Sequence, residues 1–418
     1  MLQPKQKPFD IRFDRIVLAY KTVKANKGSY GVDNVSLEAY EKDLQGNLYK
    51  LWNRMSSGSY FPQAVRKVEI DKKGGGKRPL GIPTVTDRIA QAVVKRELEI
   101  IVEPIFQEDS FGYRPKRSAI DAVGKARQRC WKYDWVLDID IQSFFEDIPH
   151  DLLMKAVTKH TNCKWHLLYI ERWLRMPVQQ TDGSLKQKDK GTPQGAVISP
   201  VLANLFLHYC FDEWMRRNIS HCPFERYADD CVIHCQTEKQ ACWVRRQVEK
   251  RFLQCGLTIH PVKTKIVDCR TIAASKDSKH REFDFLGYTF RKRKAVTKAG
   301  QYFTSYLPAV SKKSIKSIQT NVKQCKHIAN ASGTLREIAI ELNPKIRGWF
   351  NSYGQFYPSE LKLKIQFINR SLSTWAKRKF KRFKRNSWSA LNWIKSIAKF
   401  NPTLFEHWRL GVLVSVRQ

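Results

Sequence analysis

The spacing of apolar positions along this chain changes several times, and each change marks a different kind of element. Up to about Glu69 the pattern reads as helices, broken by a polar connection around Gly28-Ser29-Tyr30-Gly31-Val32-Asp33. Val68-Glu69-Ile70 predicts a strand leading into Gly74-Gly75-Gly76, a turn that glycine's conformational freedom suits. Asp87 opens a predicted helix whose Ile89, Val93, Leu98 and Ile101 fall near helical spacing. Trp135-Val136-Leu137-Asp138-Ile139-Asp140 is a strand candidate, and helix dominates from there to about Arg175. A strand pair flanks Asp229-Asp230, with Val232-Ile233 on its exit. A helical stripe of Ala241, Val244, Val248 and Phe252 follows, closed by Gly256, and Leu257-Thr258-Ile259 returns as strand.

Past about Pro308 the pattern is helical throughout. Thr334-Leu335-Arg336-Glu337 matches a capping box, and Pro344 suits a first helical turn. Leu361, Ile365, Ile368, Leu372 and Trp375 form one core-facing stripe, leaving Arg370, Lys377, Arg378 and Lys381 to face outward. An α/β middle is thus followed by an all-helical end.

Charge narrows this picture from a generic fold to a partner class. The 418 residues carry 75 Lys and Arg against 39 acids, a formal net charge of +36. A bias of that size attracts a polyanion, RNA or DNA, with affinity that falls as salt rises. From Arg291 to Gln418 there are 27 cations and four acids, so that end supplies +23 of the +36. A membrane is the competing explanation of such charge. Against it, no uninterrupted apolar stretch approaches the ~20 residues of a spanning helix, and Met1-Leu2-Gln3-Pro4-Lys5 lacks a signal-peptide core. Ten cysteines include no C-x-x-C pair, and Cys231 and Cys235 read as small buried strand residues, which favours reduced thiols over zinc or disulfides.

Tyr227-Ala228-Asp229-Asp230 sits between two apolar strand segments. Adjacent carboxylates at a hairpin tip repel each other, and taken alone they read as a solvated turn. A third carboxylate changes that reading. Asp138-Ile139-Asp140 closes another strand and is followed by Phe144-Phe145. Carboxylates from two strand ends suit a pair of divalent cations, one activating a primer 3′-hydroxyl and the other neutralising the leaving pyrophosphate.

With those residues in view, the chain resembles the reverse transcriptases encoded by group II introns. The hairpin does not carry the resemblance alone. Arg66 to Ile70, Gly74 to Pro83, Asp87-Arg88 and Ser110-Phe111-Gly112-Tyr113-Arg114-Pro115 look like the family's fingers motifs. Gly191-Thr192-Pro193-Gln194-Gly195-Ala196-Val197-Ile198-Ser199-Pro200, with Asn204, resembles its nucleotide-pocket motif. His260-Pro261-Val262-Lys263-Thr264-Lys265 and Phe285-Leu286-Gly287-Tyr288 look like the end of the palm and the primer grip, the latter borne by Leu286 and Gly287. Asn343 to Gly354 is similar to the family's maturase-specific region. The departures are Asp71 in place of the usual Pro, Glu146 in place of Asp, and Ala196 in place of Gly.

The resemblance implies an α+β, right-hand polymerase fold: an N-terminal helical extension (residues 1–65), fingers and palm of antiparallel sheet plus helices (66–306), and an all-helical thumb and maturase region (307–418). It implies Asp140, Asp229 and Asp230 as catalytic carboxylates, with Asp140, Ile141 and Asp229 as ligands of two Mg²⁺ ions. Lys72, Arg78, Phe145 and Gln194 would contact the dNTP, with Phe145 excluding a 2′-hydroxyl by clash. Arg114, Lys263, Lys265, Arg347, Lys377, Arg378, Lys381 and Arg382 would contact RNA or DNA. The basic run Trp375 to Arg385, with seven cations, suits phosphates and unpaired bases. The implied activity is RNA-directed DNA synthesis by a protein that binds intron RNA, promotes its splicing and copies it at a DNA target. No paired cysteines or histidine-rich site follow Cys325, so the family's endonuclease domain is not expected. A bacterial, cytoplasmic ribonucleoprotein near the nucleoid is the expected setting. Two other readings stay open: a splicing cofactor with vestigial polymerisation, and a polymerase domesticated for defence or repair.

Overall fold

The computed structural model describes residues 7–71, 76–271, 279–296 and 299–412, divided between two compact units. Unit 1 comprises residues 1–119 and 137–265, and unit 2 comprises 120–136 and 266–418.

In unit 1, helix Phe13–Asn26 buries Ile16, Ala19, Tyr20 and Val23, the three-and-four spacing that places side chains on one face. The long helix Val85–Val102 starts where the Thr84 side chain accepts a hydrogen bond from the Asp87 amide. Asp87 is therefore its third residue rather than its first. Ile89, Val93 and Leu98 are buried, whereas Ile101 is 38% exposed and lies off the apolar face. The N-terminal helices end at Ser56, earlier than the sequence pattern implied, because Val65–Asp71 pairs antiparallel with Lys77–Ile82 from Asp71↔Lys77 to Arg66↔Ile82. Val65 also pairs with Val178 in parallel, extending this sheet through Val178–Gln179 to Leu185–Lys186.

The second sheet of unit 1 is built on the hairpin Phe224–Tyr227 and Asp230–Cys235, with Tyr227 opposite Asp230. Strand Trp135–Ile139, whose last three residues belong to this unit, lies next to Asp230–Cys235. Directly after it, Ile141–Gln142 pairs with Thr258–Ile259. Helix Ser199–Leu207 is almost wholly buried and continues through a π-helical turn, His208–Asp212, into Glu213–Asn218. Such turns insert one extra residue per turn and re-aim the side chains on them.

Unit 2 carries a three-stranded antiparallel sheet, Glu282–Phe285, Tyr288–Val296 and Tyr302–Val310, so strand persists two residues beyond Pro308. The rest is helical. Its core gathers Ile318, Val322, Ile338, Leu342, Ile346, Leu361, Ile365, Ile368, Leu372 and Trp375. The stripe from Leu361 to Trp375 is divided between two helices, Pro358–Ile365 and Phe367–Lys379, yet all five members are buried.

Pro344 corrects the sequence reading. The capping box at Thr334 and Glu337 forms as expected, but it starts a single helix, Leu335–Tyr353, with Pro344 in its interior. Proline there deprives the Ile340 carbonyl of its helical donor. Ile340 is 68% exposed, so water can hydrate that carbonyl and the helix runs on.

Candidate active site

Asp229 stands at the tip of the hairpin. Its turn is tight: Tyr227 and Asp230 pair directly, leaving Ala228 and Asp229 to reverse the chain, and Ala228 takes φ of 57°. For a residue with a Cβ that conformation is disfavoured, and it persists only where the surroundings hold it. Two features hold it. The first is Gly112, packed so closely on the turn that a Cβ on it would lie 2.3 Å from the Ala228 nitrogen. The second is Arg226, whose Nη1 donates to the Ala228 carbonyl at 3.0 Å and to Asn204 Oδ1 at 3.0 Å. Its other donors reach Asp212 (Nε at 2.7 Å, Nη2 at 2.6 Å) and Ser110 Oγ at 2.8 Å. Asn204 Nδ2 closes the network by donating to the Gly112 carbonyl at 2.6 Å.

Arg226 and Asp212 are buried, at 1% and 0% side-chain exposure. Neither was singled out from the sequence. The available signal was an arginine inside a strand whose neighbours are otherwise destined for the core. Beside it, Glu225 accepts from His234 Nε2 at 2.7 Å, a second buried polar pair in the same hairpin.

Asp140 follows the end of strand Trp135–Ile139 and is pinned through its backbone. Its amide donates to Thr264 Oγ1 at 3.3 Å, and its carbonyl accepts from the His260 amide at 2.8 Å. The 260–264 segment thereby fixes the Asp140 backbone, and Lys263 Nζ lies 3.4 Å from its carboxylate. Asp229 is held above the usual carboxylate range, first by burial and further by the charge of Asp140, while Arg78 and Arg226 pull the other way. Asp140 and Arg78 thus both lie within electrostatic reach of Asp229. Tyr113 joins them: burial raises its phenol, the Asp229 charge adds to the effect, and its ring centroid lies 6.4 Å from that of Tyr227.

Phe145 is buried edge-to-face against Phe144, and its carbonyl accepts from the Thr192 amide at 2.7 Å. Gly191 makes this possible with φ of 84°, since a Cβ there would lie 2.5 Å from the Glu146 carbonyl oxygen. Two residues on, the Gln194 carbonyl accepts from the Gly81 amide at 2.8 Å, tying the segment to the Lys77–Ile82 strand that carries Arg78. Lys72, with Gly74 and Gly75 of the expected turn, lies outside the described residues.

The expected nucleic-acid contacts divide. Arg114 is a correction: it is buried, its Nε and Nη2 sit on the Glu103 carboxylate, and its Nη1 donates to the carbonyls of Gln107 and Ser110. With its donors taken up inside the fold, it braces the loop that bears Gly112 and has nothing left for a phosphate. Lys263 is exposed beside Asp140, and Lys265 is half-buried. In unit 2, Arg347, Arg378, Lys381 and Arg382 are exposed and Lys377 is half-buried. Lys377 Nζ donates to Ser387 Oγ at 2.7 Å, Arg378 Nη2 to the Ala329 carbonyl at 3.0 Å, and Arg382 lies 4.6 Å over the Phe383 ring. Leu286 and Gly287, with φ of 50° and 84°, form the two-residue turn between Glu282–Phe285 and Tyr288–Val296. The Gly287 carbonyl accepts from the Ser311 amide and from Ser314 Oγ, fixing the turn on the start of helix Lys312–Lys323.

A divalent cation fits the donor set at the hairpin. Asp140 and Asp229 offer hard oxygen ligands, the burial of Asp229 disfavours its charge unless a cation compensates it, and a lysine ammonium already lies against Asp140. Ile141 has a buried apolar side chain, so only its backbone carbonyl could join them. Among the described residues, no three His, Cys, Asp or Glu side chains cluster closely enough to hold a metal by themselves.

Comparison with known proteins gives the class. Residues 70–290, more than half of the chain, match the reverse transcriptase (RNA-dependent DNA polymerase) family, and the chain belongs to it. Its branch is the group II intron-encoded one, since residues 315–393 also match the group II intron maturase-specific domain. The group II intron-encoded protein LtrA of Lactococcus lactis subsp. cremoris is 32% identical over 210 residues, 47% of this chain and 33% of that protein. Protein YkfC of Escherichia coli K12 is 34% identical over 210 residues, 47% of this chain and 53% of that protein. A putative COX1/OXI3 intron 1 protein of Saccharomyces cerevisiae is 24% identical over 327 residues, 66% of this chain and 38% of that protein. The matches thus span from a third to about half of those relatives' lengths. Among the described residues no helix is long and apolar enough to cross a membrane.

Proposed function

We propose that this protein is an RNA-directed DNA polymerase that binds a group II intron RNA, promotes its splicing and copies it into DNA from a primer at the target site. One observation carries the polymerase reading: Asp229, at a turn fixed by Arg226 and Gly112, lies within electrostatic reach of Asp140 from a separate strand. Two carboxylates within reach of each other's charge are costly unless they meet cations.

Asp140, Asp229 and the Ile141 carbonyl would hold two Mg²⁺ ions, with Asp230 supporting the site. Bound there, the ions supply charge neutralisation for the attacking 3′-oxygen and for the leaving pyrophosphate. The chain's own residues do the positioning. Arg78 and Lys72 hold the triphosphate, Gln194 orders the incoming nucleotide, and the Phe145 ring abuts the position of a 2′-hydroxyl. With cations held by Asp140, the exposed Lys263 beside it would be free to contact nucleic acid. The C-terminal helices supply intron RNA binding through Arg347, Lys377, Arg378, Lys381 and Arg382, supported by the match to the maturase-specific domain and by the +23 charge.

Asp229→Asn is the test. It should abolish primer extension on an RNA template while leaving RNA affinity within about twofold, because the exchange removes one ligand charge and no phosphate contact. Extension at the wild-type rate would overturn the metal assignment. Sequencing the RNA that copurifies with the protein tests the intron partner, and a splicing assay with the same variant separates splicing from copying.

A further inference from the structure

A cavity of about 580 Å³ opens in unit 2, lined by none of the residues assigned above. Arg127 and Trp131 line it from one side, Lys294 and Phe303 from the hairpin Tyr288–Val296/Tyr302–Val310, and Phe356 and Tyr357 from the start of helix Pro358–Ile365. The volume falls in the ~300–1,000 Å³ range of small-ligand sites.

The lining joins four aromatic rings and two cations to aliphatic and serine side chains, and none of it is acidic. The Arg127 guanidinium lies 4.7 Å from the Trp131 ring centroid and 5.8 Å from that of Phe356, within cation–π distance of both. Its Nε is buried and meets no acceptor among the described residues. A buried donor left unpaired is a cost that a ligand's oxygen or ring nitrogen would remove. Burial also holds Arg127 below the usual arginine range, and among the described residues no carboxylate pairs with it. The nearby Glu360 is already engaged, 3.4 Å from Arg293 and 3.8 Å from Arg291. At the hairpin end Tyr302 is 81% and Phe303 46% exposed, aromatic surface placed beside cations.

We propose that this cavity takes one unpaired base of a nucleic-acid strand, stacked on Trp131 or Phe303, with Arg127 bonding its polar edge and Lys294 meeting the adjoining phosphate. Aromatic faces stack on any base, and cations beside them track the backbone; a duplex, with its bases already stacked, has nothing to insert. The inference deepens the proposed RNA binding and rests on it.

The test uses the full chain and three fluorescein-labelled probes: oligoadenylate RNA of about 12 nucleotides, the same sequence as DNA, and a blunt RNA duplex. Phe303→Ala and Arg127→Gln should each weaken single-strand binding roughly tenfold by anisotropy and leave the duplex within twofold. Loss on both single strands means the site takes either kind of strand, and loss on RNA alone restricts it to RNA. Equal losses on strand and duplex, or none on either, would overturn the pocket. Independently of any variant, 4-thiouridine RNA irradiated on the wild-type protein should crosslink to a peptide bearing Trp131 or Phe303, and crosslinks confined to other peptides would also overturn it. If the wild-type protein neither binds RNA nor extends a primer, the proposed function itself fails; if it does both and the variants bind normally, only the pocket fails.

Discussion

Arg226 donates to the carbonyl oxygen of Ala228 at 3.0 Å while its opposite edge forks onto Asp212, so one buried side chain links the Asp229 turn to the π-helical segment behind it. The strained turn is held from inside the protein. Ala228 supplies the peptide bond to Asp229, and fixing its carbonyl fixes the direction in which the Asp229 carboxylate leaves the chain.

Arg226→Lys keeps a cation for Asp212 but cannot reach Asp212 and Ala228 together. The expected result is a fall of roughly 10–100-fold in kcat for primer extension, with KM for dNTP and RNA affinity within about twofold. Arg226→Ala leaves Asp212 buried and uncompensated and should cost about 3–5 kcal/mol in urea unfolding. Wild-type kcat in the lysine variant would show that the clamp does not position Asp229.

Gly112→Ala tests the same turn from its other side. A Cβ 2.3 Å from a backbone nitrogen cannot be accommodated, so turn or loop must shift. Primer extension should fall about a hundredfold, because displacements near 1 Å at reacting groups have effects of that size. Far-UV circular dichroism should be unchanged.

Phe145 is 8% exposed, so a core role and a sugar-sensing role make different forecasts. If the ring abuts the 2′ position, Phe145→Val should raise ribonucleotide incorporation relative to deoxynucleotide at least about tenfold, beyond a stability loss of about 1–3 kcal/mol. Unchanged discrimination in competition assays would leave Phe145 as packing alone.

His407 provides a pH-dependent signature. It is fully buried, donates from Nε2 to Asn369 Oδ1 at 2.8 Å, and burial pulls its pKa down to about 3 from an ordinary 6.5. Between those values the unfolded chain binds a proton that the folded one does not, so stability rises with pH there. The contribution is complete above about pH 6.5 and is lost as pH falls toward 3, at about 1.4 kcal/mol per unit. From pH 7 to 5 the wild-type protein should lose about 2 kcal/mol more than His407→Gln does in urea unfolding. Parallel losses in the two proteins would show that His407 does not titrate in this way.

The candidate site was legible where its signal is local. Asp229 and Asp230 stand between two apolar strand segments and Asp140 stands just past another, so alternation placed all three at strand ends. Thr334 and Glu337 lie within one helical turn of each other, and their capping box formed as read. Pro344 was misplaced because proline favours a first turn locally, whereas the exposure of Ile340 that makes an interior proline tolerable depends on how the helix packs. Arg114 was misassigned for a related reason: an exposed and an internally bonded arginine are the same letter, and Glu103, Gln107 and Ser110 become its partners only when the loop folds over it.

The sequence by itself determined the element types, the basic character of the C-terminal end and the positions of the acidic strand ends, because periodicity, composition and turn chemistry are properties of neighbouring residues. Tertiary structure alone decided that the Asp140 charge reaches Asp229, that Arg226 spans Asp212 and Ala228, and that Arg127 lies beside both Trp131 and Phe356 with a donor unpaired among the described residues. Each of these joins residues from separate elements, and burial sets its energetics by stripping water from charges whose partners the chain order does not reveal.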